Sequence, residues 1–244
     1  MNFHACEWFV AVLGAILVGI AKTGITGLSL LFVALFASIM PARSSTGLVL
    51  PLLIVGDWVA FASYRRHAQW RHVWRMLPWA ALGVVVGAVA MGRMDEHATR
   101  LAMGAIVIGL AALHLIRRAR PPVAEQDHPA WFAPLFGIMA GFTTIVSNAA
   151  GPLMVIYLLA MRLPKMEYMG TGAAFFLILN LFKLPFMIGL GLVTRESLIQ
   201  NLLLAPAVIA GTIVGRWLLG RINQRLFENI AIVLTIAAGV RMFI

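Results

Sequence analysis

Charge is what this sequence has least of. Only 11% of its 244 residues are Asp, Glu, Lys or Arg, while 61% are hydrophobic. A soluble domain carries about 25% charged residues. With a mean hydropathy of +0.93, most of the surface suits lipid rather than water. Cysteine is nearly absent too: Cys6 alone excludes an intrachain disulfide and a cysteine-based metal site. The six His residues show no HxxxH or HxH spacing, which argues against a metal centre. No GxSxG, P-loop or GxGxxG stretch occurs, so neither a membrane hydrolase nor an ATP-driven pump is supported, and no cofactor is expected. Met1 to Glu7 lacks a basic region and a small-residue cleavage site, so the first apolar run is expected to belong to the mature protein.

What is present is a series of apolar runs. They cover Trp8–Met40, Gly47–Tyr64, Val73–Met91 and Ala98–Ile116, then Trp131–Met161, Gly170–Leu192, Leu198–Leu219 and Leu226–Ile244. A polar, Pro-containing stretch from Arg117 to Pro129 separates the two sets of four and reads as a linker. The expected architecture is all-α and membrane-embedded: a first repeat over 1–120, a linker over 121–130 and a second repeat over 131–244. At an offset of 128, Pro78, Gly83, Gly87, Gly92 and Arg93 fall on Pro206, Gly211, Gly215, Gly220 and Arg221. At an offset of 125, Thr46-Gly47 falls on Thr171-Gly172. Gly83/Gly87 and Gly211/Gly215 are GxxxG steps, which let helices approach closely in lipid.

The first run of each set is too long for one crossing of ~20 residues and is interrupted in its middle. Lys22 to Gly27 breaks one and Thr143 to Pro152 the other. Each reads as two half-helices meeting at a polar, glycine-bearing turn. Paired interruptions of this kind point to a transporter's binding site. If both are hairpins that return to their starting face, Arg43, Arg93, Arg100, Arg195 and Arg241 share one side of the membrane. Arg65, Arg66, Arg71, Arg75, Arg117, Arg118, Arg120, Arg162, Lys165, Arg216, Arg221 and Arg225 share the other. Five against twelve is a positive-inside asymmetry. It puts the linker, 117–130, in the cytoplasm, both termini outside, and makes the repeats inverted. The net charge of +10 is thereby read as cytoplasmic loop charge, with lipid rather than nucleic acid as the partner.

Two basic residues remain, and both lie inside the apolar runs: Lys22 in the first break and Lys183 within Phe175–Met187. A Lys at the centre of a membrane helix costs ~2.5–3.5 kcal/mol on insertion scales, so function is the default reading. Asp57 is the one carboxylate deep in an apolar run, a coupling site or the partner of either Lys. Half-helix N-termini and small polar residues suit an anion. Gly24, Gly27 and Gly151 permit close backbone approach. Thr23, Thr26, Thr144, Ser147, Asn148 and Asn180 supply side-chain donors.

With these motifs in place, the chain resembles the TauE/SafE family of sulfite and organosulfonate exporters over nearly its whole length. The resemblance is carried by Ala21-Lys-Thr-Gly-Ile-Thr-Gly27, Tyr64-Arg-Arg-His-Ala-Gln-Trp-Arg71, Ser147-Asn-Ala-Ala-Gly-Pro152 and Asn180-Leu-Phe-Lys183. Many family members carry three consecutive glycines in the first break, where this chain has Lys22-Thr23-Gly24. The resemblance implies export of sulfite, sulfoacetate or a related small anion from the cytoplasm across the inner membrane. A carrier or channel for another small anion, such as a carboxylate, is the alternative. A homodimer is left open.

Overall fold

The computed structural model describes residues 4–23, 28–118 and 131–218, with single positions at 233, 236 and 240. Gly24, Thr26, Gly27, the 121–130 linker, Gly220, Arg221 and nearly all of the eighth apolar run lie outside the described residues. The described residues fold as helices without strands. They run α1 Ala5–Ala21, α2 Leu28–Ile39, α3 Ala42–Tyr64, α4 Trp70–Arg93 and α5 Glu96–Arg118 in the first half. The second half holds α6 Phe132–Ser147, α7 Gly151–Ala160, α8 Lys165–Gly189 and α9 Arg195–Leu218. Five helices, α3, α4, α5, α8 and α9, are long and apolar enough to cross a bilayer. Their outward faces carry Leu202, Leu203, Ile213, Val86 and Val89 exposed, the surface of a multi-pass protein solvated by lipid.

Both expected breaks are present. α2 and α7 have 12 and 10 residues, about 18 and 15 Å of helix, and neither alone crosses a hydrocarbon core of ~30 Å. α6 ends because Asn148 takes the left-handed conformation, φ 56°, which Asn tolerates better than most residues. Pro152 then sits in the first turn of α7, where its missing N–H costs nothing. Each half-helix folds back on its predecessor. Gly14 of α1 packs against the Phe36 ring of α2, and Phe132 of α6 stacks on Tyr157 of α7 with ring centroids 6.0 Å apart.

Glycine contacts fix the helix directions. A Cβ on Gly83 would collide with the Ile138 carbonyl, and Gly87 lies against Phe142 and Ile145, so α4 and α6 run parallel. A Cβ on Gly211 would collide with the Ile16 carbonyl, and Gly215 lies against Ile20 and Thr23, so α1 and α9 run parallel too. Conversely, Gly141 is pressed on Ala80 and Val84, and Gly19 on Val208 and Thr212. The two interfaces match residue for residue, at a spacing of 122 between α1 and α6 and 128 between α4 and α9. The helix that opens each half therefore packs on the third-run helix of the other half.

α3 and α8 cross antiparallel. Gly47 near the start of α3 meets Leu192 beyond α8, and Gly170 near the start of α8 meets Tyr64 at the end of α3 and His67 and Ala68 just beyond it. Midway, Asn180 meets Asp57. Gly47 with Gly170, Asp57 with Asn180, and the N-cap prolines Pro41 and Pro164 all correspond at a spacing of 123. This corrects the expected spacing of 125. The Thr46-Gly47 and Thr171-Gly172 dipeptides are alike in letters, but the packed glycines are Gly47 and Gly170.

The bundle has two distinct ends. At one, Glu96 accepts from the Ala42 and Arg43 N–H groups at 2.6 and 3.3 Å, and Gly92 approaches Leu190. Arg43, Arg93, Arg100 and Arg195 belong to this end by sequence position. At the other, the Gln69 N–H donates to Thr171 Oγ1 at 3.0 Å, and Arg216 lies over the Tyr64 ring. Arg65, Arg66, Arg71, Arg75, Arg162 and Lys165 belong here, with the exposed indoles of Trp70 and Trp74 beside them.

A buried charge cluster where two helix breaks meet

The breaks bring the start of α2 and the start of α7 together: a Cβ on Gly151 would lie 2.6 Å from Ser29 Oγ. Ser29 and Gly151 correspond at the same spacing of 122 that relates α1 to α6. Beside them runs the Asp57–Asn180 contact between α3 and α8. Two N-termini, each the positive end of a helix dipole, thus converge on the crossing of α3 and α8.

Asp57 is fully buried, as an ionised carboxylate can be only with partners. Lys22 Nζ lies 2.7 Å from its Oδ1, and Asn180 Nδ2 donates to its Oδ2 at 2.6 Å. The Lys22 stem passes over Gly56, whose lack of a side chain leaves room for it. Its ammonium sits 4.9 Å from the centroid of the Phe176 ring. Of the two lysines, Lys22 is the reachable one, its side chain 11% exposed. Lys183, 0% exposed, donates to Thr144 O at 2.9 Å, Thr144 Oγ1 at 3.2 Å and Asn148 Oδ1 at 2.6 Å. Asn148 in turn donates from Nδ2 to the Thr46 carbonyl at 3.0 Å.

A cavity of about 830 Å³, counting the space at its mouth, reaches this cluster. Lys22, Ser29, Asp57, Thr144, Asn148, Gly151 and Asn180 form its polar floor. Its walls are apolar, with Phe32, Leu53, Met154, Leu158 and Phe176 among them. Ala60, Tyr168 and Met169 also line it. They lie near the end of α3 and the start of α8, so the cavity opens toward the basic end. No lining residue comes from the first ten residues of α3 or from α9.

Of the residues expected to hold a ligand, Lys22, Thr144, Asn148, Gly151 and Asn180 share this cavity, with Asp57 beside them. Three others do not face it. Thr23 is buried against Gly215 and donates to the Ile20 carbonyl. Ser147 donates to the Thr143 carbonyl within α6. Lys183 points from α8 to the far side of the second break. The first two satisfy backbone acceptors of their own helices, as small hydroxyls in helices commonly do. Gly24, Thr26 and Gly27 lie outside the described residues. Ser29, Phe32 and Phe176 were not expected. Ser29 carried a signal, since it stands at Gly151's counterpart beyond the first break. The two aromatics carried none, being indistinguishable from core.

Comparison with known proteins agrees with a transporter. The profile of the family described as Sulfite exporter TauE/SafE matches residues 11–242. The chain is also 25% identical over 198 residues to the probable inner membrane transporter protein TsaS of Comamonas testosteroni, covering 80% of this chain and 81% of that protein. No solved structure matches significantly.

Proposed function

The chain belongs to the sulfite exporter TauE/SafE family of membrane transporters, and within it we propose that this protein carries a small sulfur-containing anion out of the cytoplasm by alternating access. Sulfite or an organosulfonate such as sulfoacetate is the substrate. One observation carries the reading: a cavity from the basic end stops at a reachable ammonium, Lys22, between two half-helix N-termini. Such a place attracts an anion by charge, by helix dipole and by unpaired N–H groups together.

Membrane orientation follows from the loop charges. The basic end, where the cavity opens, faces the cytoplasm of the inner membrane, as does the 117–130 linker, and both termini lie outside. The matched contacts of α1 with α9 and of α4 with α6 support two inverted repeats, 1–120 and 131–244. A carrier is favoured over an open channel because the polar floor closes the cavity midway. The gradient needed is modest, since the membrane potential drives an anion outward by ~2.3 kcal/mol per charge per 100 mV.

The test is thermal stability of the purified protein with sulfite, sulfoacetate, taurine, acetate, sulfate and thiosulfate, repeated with Lys22→Ala. A rise in Tm with sulfite or a sulfonate, lost in the variant, is the expected result. A rise with acetate alone would move the substrate to carboxylates. No rise with any anion would remove the anion site.

A further inference from the structure

The spacings that relate the two halves also relate the open cavity to a closed region on its far side. At 122 for the breaks and 123 for α3 and α8, the cavity residues Lys22, Ala60 and Met169 correspond to Thr144, Lys183 and Thr46. On the cavity side Lys22, Ala60 and Met169 line open space. On the far side they are drawn together, Lys183 onto Thr144 and Asn148, and Asn148 onto the Thr46 carbonyl. Ala60 and Met169 thus border open space, while their counterparts Lys183 and Thr46 are tied to Asn148.

Lys183 adds a second observation. It is wholly buried, and its hydrogen-bond acceptors are a carbonyl, a hydroxyl and an amide oxygen, all neutral. Among the described residues the nearest carboxylate, Asp57, is ion-paired to Lys22. A fully buried lysine amine whose partners are all neutral is a costly thing to keep in a membrane if its only task is to brace a turn. Three positions earlier on the same helix face, the buried Asn180 Oδ1 has no hydrogen-bond partner, an acceptor free for a rearranged Lys183.

Resting on the anion-transport reading above, we propose that the Asn148–Thr46 contact is the gate at the end away from the cavity. Its opening bares Lys183, which then holds the anion there, so that the substrate passes from Lys22 on one side of the Asp57–Asn180 crossing to Lys183 on the other. Asn148 and Thr144 belong to both arrangements, lining the cavity while holding Lys183, and they are the residues through which loading at one side can loosen the other.

The experiment uses the full chain with Cys6→Ser and Thr46→Cys, reconstituted in vesicles, and a membrane-impermeant charged thiol reagent applied at the end opposite the basic one. Thr46 is buried, so labelling at rest is slow. A sulfoacetate gradient speeds it. Asn148→Ala speeds it about fivefold without the anion, the effect of one lost hydrogen bond. Lys183→Met in the same background still labels, but sulfoacetate flux falls at least tenfold. Labelling that ignores both the anion and Asn148→Ala overturns the gate, and wild-type flux in Lys183→Met overturns the handover. Failure of the underlying reading looks different: no anion would then raise Tm in a Lys22-dependent way, whatever the labelling.

Discussion

In the proposed mechanism Lys22 has two tasks that pull against each other. Its ammonium pairs with Asp57 at 2.7 Å, and an anion entering the cavity would have to share or displace that partner. Removing one member of a buried pair leaves the other uncompensated, which costs ~3–5 kcal/mol. Lys22→Ala is therefore expected to lower stability by that amount and to abolish anion binding together. Replacing both, as Lys22→Met with Asp57→Leu, separates the two effects. Thermal unfolding of the double variant should recover most of the lost stability, because no lone charge remains, while transport stays absent. A double variant that regains stability and also transports would take Lys22 out of the site. Asn148 is subtler, since its amide accepts from Lys183 and donates to Thr46. That two-way use is also why the amide orientation is fixed: turned over, it would face Lys183 with its donor.

At the scale of elements, the parallel pairs α4 with α6 and α1 with α9 depend on glycines whose missing side chains admit a neighbour's backbone. Gly141→Val would drive a side chain into Ala80, and Gly19→Val into Val208. Each should cost more than ~3 kcal/mol or prevent assembly, because backbone cannot yield as a flexible side chain does. Gly109 in α5 is the control, with nothing within 4 Å of where its Cβ would stand. Gly109→Ala should raise stability by up to ~1 kcal/mol through helix propensity alone. Thermal unfolding in one detergent compares all three, and a neutral Gly141→Val would contradict the close packing.

The same elements divide what could be read in advance from what could not. Both breaks, the short α2 and α7, and the Gly83/Gly87 and Gly211/Gly215 steps follow from local sequence, because a polar interruption or a small-residue pair acts where it stands. The choice of partner for those steps does not. A GxxxG pair states that some helix comes close, and only the assembled bundle shows that α6 and α1 do. The α3/α8 spacing was mistaken for a similar reason: Thr-Gly recurs at 125, while the packed glycines and the Asp57–Asn180 crossing obey 123. Lys183 was legible as unusual but not its direction. Side-chain orientation on a helix that is apolar on every side, core face and lipid face alike, leaves no periodic trace.

Over the whole molecule, the arrangement predicts how transport responds to voltage. The cavity ends at the middle of the bundle, and in the proposed mechanism one monoanion is carried from there. A loaded carrier then moves its substrate's charge through the membrane field with no cotransported ion required. For a monovalent sulfonate, ~2.3 kcal/mol per 100 mV is about a 50-fold concentration ratio at equilibrium. Vesicles loaded with a sulfonate, with the basic end facing the lumen and a potassium diffusion potential negative inside, should expel it until about that ratio is reached. Reversing the potential should reverse the flux. Asp57 decides the competing possibility. If it carries a proton with the anion, the equilibrium ratio follows the pH gradient instead, and Asp57→Asn restores dependence on voltage alone. A ratio that ignores pH and is unchanged in Asp57→Asn assigns the carboxylate to holding Lys22 in place. The outward push then comes from the membrane potential, which fits the proposed export by a chain whose sequence holds no P-loop.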